Sequence, residues 1–316
     1  MFPMTRAAFM TLAAFAAVYL IWGSTYLAIR VAIDTIPPLL MTGIRALAAG
    51  SVLLAIGWLR SRTLPSGRAL RDAVALGVLL VACGNGGVAW AERTVPSGVA
   101  ALVVATIPLW VAGIEWLSGA RPRPGRFAGL ALGATGVAVL VAPVRTADAV
   151  DPLGAVVLVL AALAWSVGTV RGRSSHHGGS LAATVGAQLL AGGVVLLATG
   201  YATGEANALR LEQVSAASVL AVAYLVVFGS LVAFSAYTYL LRVTTPGRAA
   251  TYAFVNPLVA VLLGSVFAGE VLSGRIVVAS GLILLGVLAC LASPAGAPPL
   301  RVAPQIDVPV SGSAAD

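Results

Sequence analysis

The sequence predicts an all-α integral membrane protein of ten transmembrane helices, arranged as two inverted five-helix repeats. Three observations carry that reading. Hydrophobic residues make up 59% of the 316 residues and charged residues 9%, with a mean hydropathy of +0.99. A soluble domain carries roughly a quarter charged residues, so this chain cannot cover an aqueous surface and lipid must solvate it. The arginines gather in alternate connections between apolar runs. A Pro-interrupted apolar segment in the first half is echoed in the second.

The echo is specific. Residues 94–110 read TVPSGVAALVVATIPLW and residues 244–258 read TTPGRAATYAFVNPL. Setting Pro108 on Pro257 also sets Gly98 on Gly247 and Ala100-Ala101 on Ala249-Ala250. A proline inside a helix frees a backbone carbonyl and bends the rod. Helix breaks at Pro108 and Pro257, one in each half, point to the binding site of a transporter.

A spanning helix needs about 20 apolar residues. Such segments run at roughly 9–31, 38–59, 72–91, 97–118, 126–143, 153–171, 180–201, 215–240, 247–268 and 275–292. One Arg, Arg6, precedes the first, a long apolar run without a clear cleavage site, so it reads as a membrane helix and not a removed signal. The fifth and tenth are Gly-rich, and each opens with Gly-Arg, at 125–126 and 274–275. Small residues let membrane helices approach closely, so these two are expected to pack against each other or across a homodimer. Five helices per half is an odd number, so duplication inverts the second copy in the membrane. The chain then divides into a cytoplasmic tail (1–8), a first repeat (9–143), an outside linker (144–152), a second repeat (153–292) and a tail (293–316). The last is rich in Pro, Ala, Gly and Ser and predicted to be disordered.

All 19 basic residues are Arg. With a cytoplasmic N-terminus, thirteen of them fall in inside segments and four, Arg93, Arg145, Arg210 and Arg275, in outside loops. This positive-inside bias places both termini in the cytoplasm, in the inner (plasma) membrane. Arg30 and Arg45 are left at membrane depth.

Several function classes are excluded. A pI near 10.3 would suggest nucleic acid in a soluble protein, but here the arginines sit in short loops, and no nucleic-acid partner is expected. Cys83 and Cys290 lie inside apolar runs and define no disulfide framework. His176 and His177 share a Gly/Ser-rich inside loop, which is weak evidence for a metal; neither metal nor cofactor is expected. An intramembrane serine protease needs Ser and His at depth, and an aspartyl one needs paired Asp there. The sequence offers neither, nor a nucleotide-binding phosphate loop. The chain is not expected to be an enzyme.

Charge at membrane depth costs several kcal/mol unless paired or wet. Arg45 lies about two turns into the second helix, about 9 Å below the outer boundary at about 1.5 Å per residue. It is expected to hold a substrate carboxylate or to pair with a partner such as Glu92, the alternative being snorkelling to the outer interface, whereas Arg30, nearer a helix end, is expected to snorkel. Glu92 ends the third helix; half-buried, its carboxyl would have a raised pKa, which makes it the candidate proton site, against the alternative of a loop-edge ion pair. Glu270 is expected to form a salt bridge or cap. Trp22, Ser24, Tyr26, Asn85, Trp165, Tyr237, Tyr252 and Asn256 join Arg45 as candidate cavity residues. Aromatics with a few polar groups suit a flat or amphipathic organic molecule, the alternative being core packing and interface belts.

The stretches IWGSTYLAIRVA (21–32), PPLLMTGIRALAAG (37–50), GNGGVAWAERTVPSGVAALVVATIPLW (84–110), FGSLVAFSAYTYLL (228–241) and TPGRAATYAFVNPLVAVLLGSVFAGEVLS (245–273) resemble the EamA-type permeases of the drug/metabolite transporter superfamily, in particular its YedA-like branch. The resemblance covers about residues 9–292. It implies ten helices, cytoplasmic termini, a cavity between the repeats and alternating access, and it favours export. One departure is visible: the second repeat keeps the family's Gly269-Glu270 step, but the first reads Gly119-Ala120. Small multidrug exporters of the superfamily carry an essential Glu in the first helix. Here no carboxylate precedes Asp34, so transport is expected to be uncoupled or to use Glu92. The expected function is transport of small organic metabolites, such as amino acids or amphipathic and aromatic compounds. The alternative is a non-transporting membrane scaffold or receptor.

Overall fold

The computed structural model describes residues 6–119, 124–141, 150–175, 180–244, 252–270 and 272–292. Among them the regular structure is helical throughout. The long helices are α1 (Arg6–Ala32), α2 (Pro38–Ser61), α3 (Gly67–Ala91), α4 (Ser97–Leu117), α5 (Pro124–Val141), α6 (Pro152–Ser174), α7 (Leu181–Ala202), α8 (Ala216–Val243), α9 (Tyr252–Phe267) and α10 (Gly274–Ala292), with two short turns of helix, Glu205–Ala208 and Leu211–Gln213, between α7 and α8. By length and composition α1 to α4 and α6 to α8 can cross a bilayer, and α5, α9 and α10 carry the shorter apolar runs Phe127–Val139, Val255–Phe267 and Gly274–Ala289. Helix starts follow local chemistry. Pro38 and Pro152 sit in first turns, where their missing N–H costs nothing. Asp151, Ser180 and Ser215 accept a backbone N–H three residues on.

Three interruptions shape the bundle. The helix in α4 stops at Val104 and restarts at Ile107, with Pro108 in the first turn of the second piece. Thr106 bridges the gap: its hydroxyl donates to the Val103 carbonyl at 2.6 Å and accepts from the Trp110 indole at 3.0 Å. In α3 and α8 the ladder widens into π-helical stretches, Gly77–Asn85 and Leu225–Phe234. These stretches fall at corresponding places under the pairing of Pro108 with Pro257, and such segments often mark functional sites.

The expected break at Pro257 is not present: Pro257 lies inside the continuous helix Tyr252–Phe267. The ring deletes the one ladder bond its N–H would have made to the carbonyl four residues back, and the helix runs on past it. Residues 245–251, which hold the rest of the second Pro-Gly motif, lie outside the described residues, as do Ala120, His176, His177, most of the linker and the C-terminal tail.

Small residues set the closest packing. α5 runs along α10 within the one chain, and a Cβ on Gly286 would lie 2.6 Å from the Gly133 nitrogen. α2 runs along α7 in the same way; a Cβ on Gly186 would stand 2.5 Å from the Leu54 nitrogen. Without a hydrophobic force between helices in lipid, such contact is what holds them. α1 crosses into the second half and packs on α8 and α9. The outer faces are apolar: Leu258, Leu262 and Val266, one turn apart on α9, are 61%, 63% and 64% exposed, as a lipid-facing stripe requires.

Candidate functional site

A central cavity of about 50 Å³ lies where the two halves meet. Its wall comes from α1, α2, α3, α4, α6 and α9. On α1 the lining residues are Trp22, Thr25, Tyr26 and Ile29, the spacing that places side chains on one helical face. Gly84 and Asn85 enter at the end of the π-helical stretch of α3, and Val104 and Ile107 flank the break in α4.

Seven of the nine sequence candidates line this cavity: Trp22, Tyr26, Arg45, Asn85, Trp165, Tyr252 and Asn256. Two do not. The Ser24 side chain turns away, with its hydroxyl 2.6 Å from the Tyr224 hydroxyl and donating to Ile21 O at 2.8 Å. Two residues from Trp22, it lies off the lining face. Tyr237 stands behind the wall, 1% exposed; its hydroxyl is 2.7 Å from Thr169 Oγ1 and accepts from the Trp165 indole at 3.3 Å.

The aromatic residues form one cluster. The Trp22 ring lies 5.5 Å from Trp165, 5.0 Å from Tyr237 and 5.2 Å from Tyr252, the contacts with Trp165 and Tyr252 being edge-to-face. The Trp22 indole donates to the Gly229 carbonyl at 3.3 Å, in the π-helical stretch of α8. Gly84 is required here: a Cβ on it would lie 2.6 Å from the Trp165 ring.

Arg45 is 5% exposed. Its Nε donates to Ser230 Oγ at 2.8 Å, its one hydrogen bond among the described residues, and the side chain borders the cavity. The expected pairing of Arg45 with Glu92 does not form, since neither Glu92 oxygen has a hydrogen-bond partner among the described residues. Sequence reasoning missed Ser230, whose Gly-Ser signal sits in an otherwise apolar run. Arg30 donates from Nη1 to the backbone carbonyls of Glu92 at 2.6 Å and Arg93 at 3.4 Å, so it caps the end of α3. With its amide nitrogen turned towards them, Asn256 donates to the carbonyls of Tyr19 and Tyr252 at 2.9 and 3.3 Å.

The acids gather at the end of the bundle where α3 finishes and α4 begins. Glu270 accepts from Ser97 N, Ser97 Oγ and Gly98 N at 2.7, 2.6 and 3.0 Å, so a residue of the second half caps α4 of the first. Glu205 accepts from Leu39 N and Leu40 N at 2.9 and 3.1 Å, capping α2. Burial raises the Glu205 carboxyl while those two bonds oppose it. Asp151 accepts from Thr94 Oγ1 and Gly154 N, both at 2.8 Å, and the Thr94 bond holds it below the usual carboxylate range.

A larger groove, about 440 Å³, lies between α4, α5 and α6. Its wall is apolar apart from Thr106 and Trp110, which are hydrogen-bonded to each other. Val156 and Leu160 beside it are 52% and 57% exposed, so it faces lipid. Among the described residues no cluster of His, Cys, Asp and Glu could hold a metal.

Comparison with known proteins agrees with this architecture. The model of the EamA-like transporter family matches twice, over residues 9–142 and 152–292. The uncharacterized inner membrane transporter YedA of Escherichia coli K12 is 42% identical, over 90% of this chain and 94% of its own. Protein PagO of Salmonella typhimurium is 28% identical over 82% and 85%, and the uncharacterized transporter YvbV of Bacillus subtilis 26% over 92% of each. A crystal structure with 22% identity, covering 89% of this chain and 96% of that one, superposes with a TM-score of 0.62 and shares the fold. The chain is a multi-pass inner-membrane protein and belongs to the EamA-like transporter family.

Proposed function

We propose that the protein is a ten-helix permease whose two inverted five-helix repeats alternate access to the central cavity. Its substrate is a small organic metabolite with a carboxylate and a flat or apolar body, such as an amino acid or an amphipathic aromatic compound, and export is the favoured direction. The observation that carries the reading is Arg45. It is a buried cation at the cavity wall, tethered by Nε to Ser230 and engaged with no carboxylate of the chain among the described residues. Guanidinium groups bind carboxylates through paired N–H donors, and Trp22, Trp165 and Tyr252 supply aromatic surface beside it.

At about 50 Å³ the cavity holds a few waters and is smaller than such a molecule. Binding therefore needs the halves to part. The break at Thr106 and the two π-helical stretches weaken the backbone ladder next to the cavity, where such movement would be taken up. The arginine bias supports cytoplasmic termini, which sets Glu92, Asp151, Glu205 and Glu270 at the outer face.

Ligand-induced thermal stabilisation tests the reading, because a compound that binds the native state raises its stability by mass action. The panel holds amino acids, aromatic carboxylates, sugars, nucleosides and cationic drugs. Carboxylate-bearing compounds are expected to raise Tm with concentration and to lose the effect in Arg45→Ala. Stabilisation by cations or sugars alone, unchanged in Arg45→Ala, refutes it.

A further inference from the structure

The cavity leaves one buried acid unused. Glu92 follows the last helical residue of α3. Its side chain is 0% exposed, and neither carboxyl oxygen has a hydrogen-bond partner among the described residues. An ionised carboxylate held that way has lost its water and gained no hydrogen bond in exchange, which costs several kcal/mol. The neutral acid costs far less.

Its charged and titratable surroundings come from four directions. From α1, Tyr26 lies within electrostatic reach of Glu92 and also lines the cavity, and Arg30 donates to the Glu92 backbone carbonyl. From the segment before α10, Glu270 is bound to the start of α4. From the head of α6, Asp151 is held on Thr94. Arg93, the next residue in the chain, stacks over Trp90 at 4.6 Å. Burial pushes the Glu92 carboxyl well above the usual carboxylate range; the negative charge of Glu270 pushes the same way, and Arg30 opposes both.

We propose that Glu92 is a proton-binding site of the transport cycle, neutral while the bonds from Ser97 and Gly98 to Glu270 close the outer end of α4, and ionised when that contact opens. This inference rests on the transporter reading. In the step, the Glu92 O–H bond breaks heterolytically, the proton passes to water on the outer side, and the carboxylate left behind is hydrated by the same opening. The site stands between the cavity wall at Tyr26 and the contact at Glu270 that ties the two halves together. A proton there links the state of the outer face to the cavity. Glu270 already takes three donors; Glu92 takes none.

Two measurements on the full chain in liposomes test it, and neither needs a transported compound. The first is the infrared carbonyl stretch of a protonated carboxylic acid, read as wild type minus Glu92→Gln. A band is expected near neutral pH and should persist, displaced, in Glu92→Asp. Its absence throughout about pH 6 to 8, or its persistence in Glu92→Gln, overturns the proposal. The second uses Val99, one turn into α4 and 2% exposed. With Cys83 and Cys290 replaced by Ser, Val99→Cys is labelled by an impermeant maleimide added outside. The labelling rate is divided by that of the same protein carrying Glu92→Gln at each pH, which cancels the ionisation of the thiol. The ratio is expected to rise by up to about tenfold per pH unit below the Glu92 pKa; a flat ratio overturns the proposal. If both signals appear and no compound binds through Arg45, the substrate reading fails and the proton site stands.

Discussion

The cap that Glu270 places on α4 is the contact between the halves whose energy can be worked most directly. Glu270→Ala removes three hydrogen bonds, from Ser97 N, Ser97 Oγ and Gly98 N at 2.7, 2.6 and 3.0 Å. Taken singly, a hydrogen bond to a charged group contributes about 1.5–3 kcal/mol. These three share one carboxylate and one helix end, so they do not add. Loss of an N-cap costs about 0.5–2 kcal/mol, and a carboxylate at a helix N-terminus adds up to about 2 kcal/mol through the aligned peptide dipoles. The expected loss is about 2–3 kcal/mol. At about 2 °C per kcal/mol, the low end of the scale for large domains, Tm should fall by about 4–6 °C. The assay is thermal unfolding of the purified protein in one detergent at one scan rate, because unfolding of such a protein is under kinetic control. Glu205→Ala, which removes two such bonds from the start of α2, is the internal standard and should cost less. Glu270→Gln keeps an acceptor for Ser97 but loses the charge and the Gly98 bond, and should fall between wild type and Glu270→Ala. A Glu270→Ala protein within about 1 °C of wild type would refute the view that this carboxylate holds the halves together.

Two further outcomes follow from the geometry. Asp151 has its folded pKa lowered by Thr94 first and by Gly154, so its stabilisation is present above the ordinary carboxylate range and is lost as pH falls through the lowered value. The Tm difference between wild type and Asp151→Asn should therefore be constant near neutrality and shrink on acidification; a difference that grows would refute the sign. Gly84→Ala places a methyl 2.6 Å from the Trp165 ring and should destabilise by about 1–3 kcal/mol through overpacking. It should also shift the Trp165 emission, isolated by subtracting Trp165→Phe in each background, and an unchanged spectrum would show that the ring does not rest on Gly84.

The helices and the duplication could be read from the sequence because both are local. A run of apolar residues must become a helix in lipid, where every backbone group needs an internal partner. The echo at Pro108 and Pro257 lies in the order of residues itself. Position within a run was legible too, since the order of residues sets Arg45 and Asn85 inside apolar segments, which is how they were found. Rotation about the helix axis was harder. The lining set Trp22, Thr25, Tyr26 and Ile29 obeys helical spacing, and applying that spacing to Trp22 would have set Ser24 aside. Tyr237 could not be sorted that way, because α8 changes its winding at the π-helical stretch just before it.

The amino-acid sequence by itself determined an all-helical membrane chain, its repeated unit and which polar groups fall within its apolar runs, because transfer of each segment into lipid depends on that segment alone. Only the tertiary structure decided what those groups meet. Arg45 finds Ser230 and not Glu92, Glu270 caps a helix of the other half, and Glu92 is left enclosed without a partner. Those outcomes depend on how helices far apart in sequence are rotated and brought together, and close packing at small residues such as Gly186 and Gly286 fixes that arrangement.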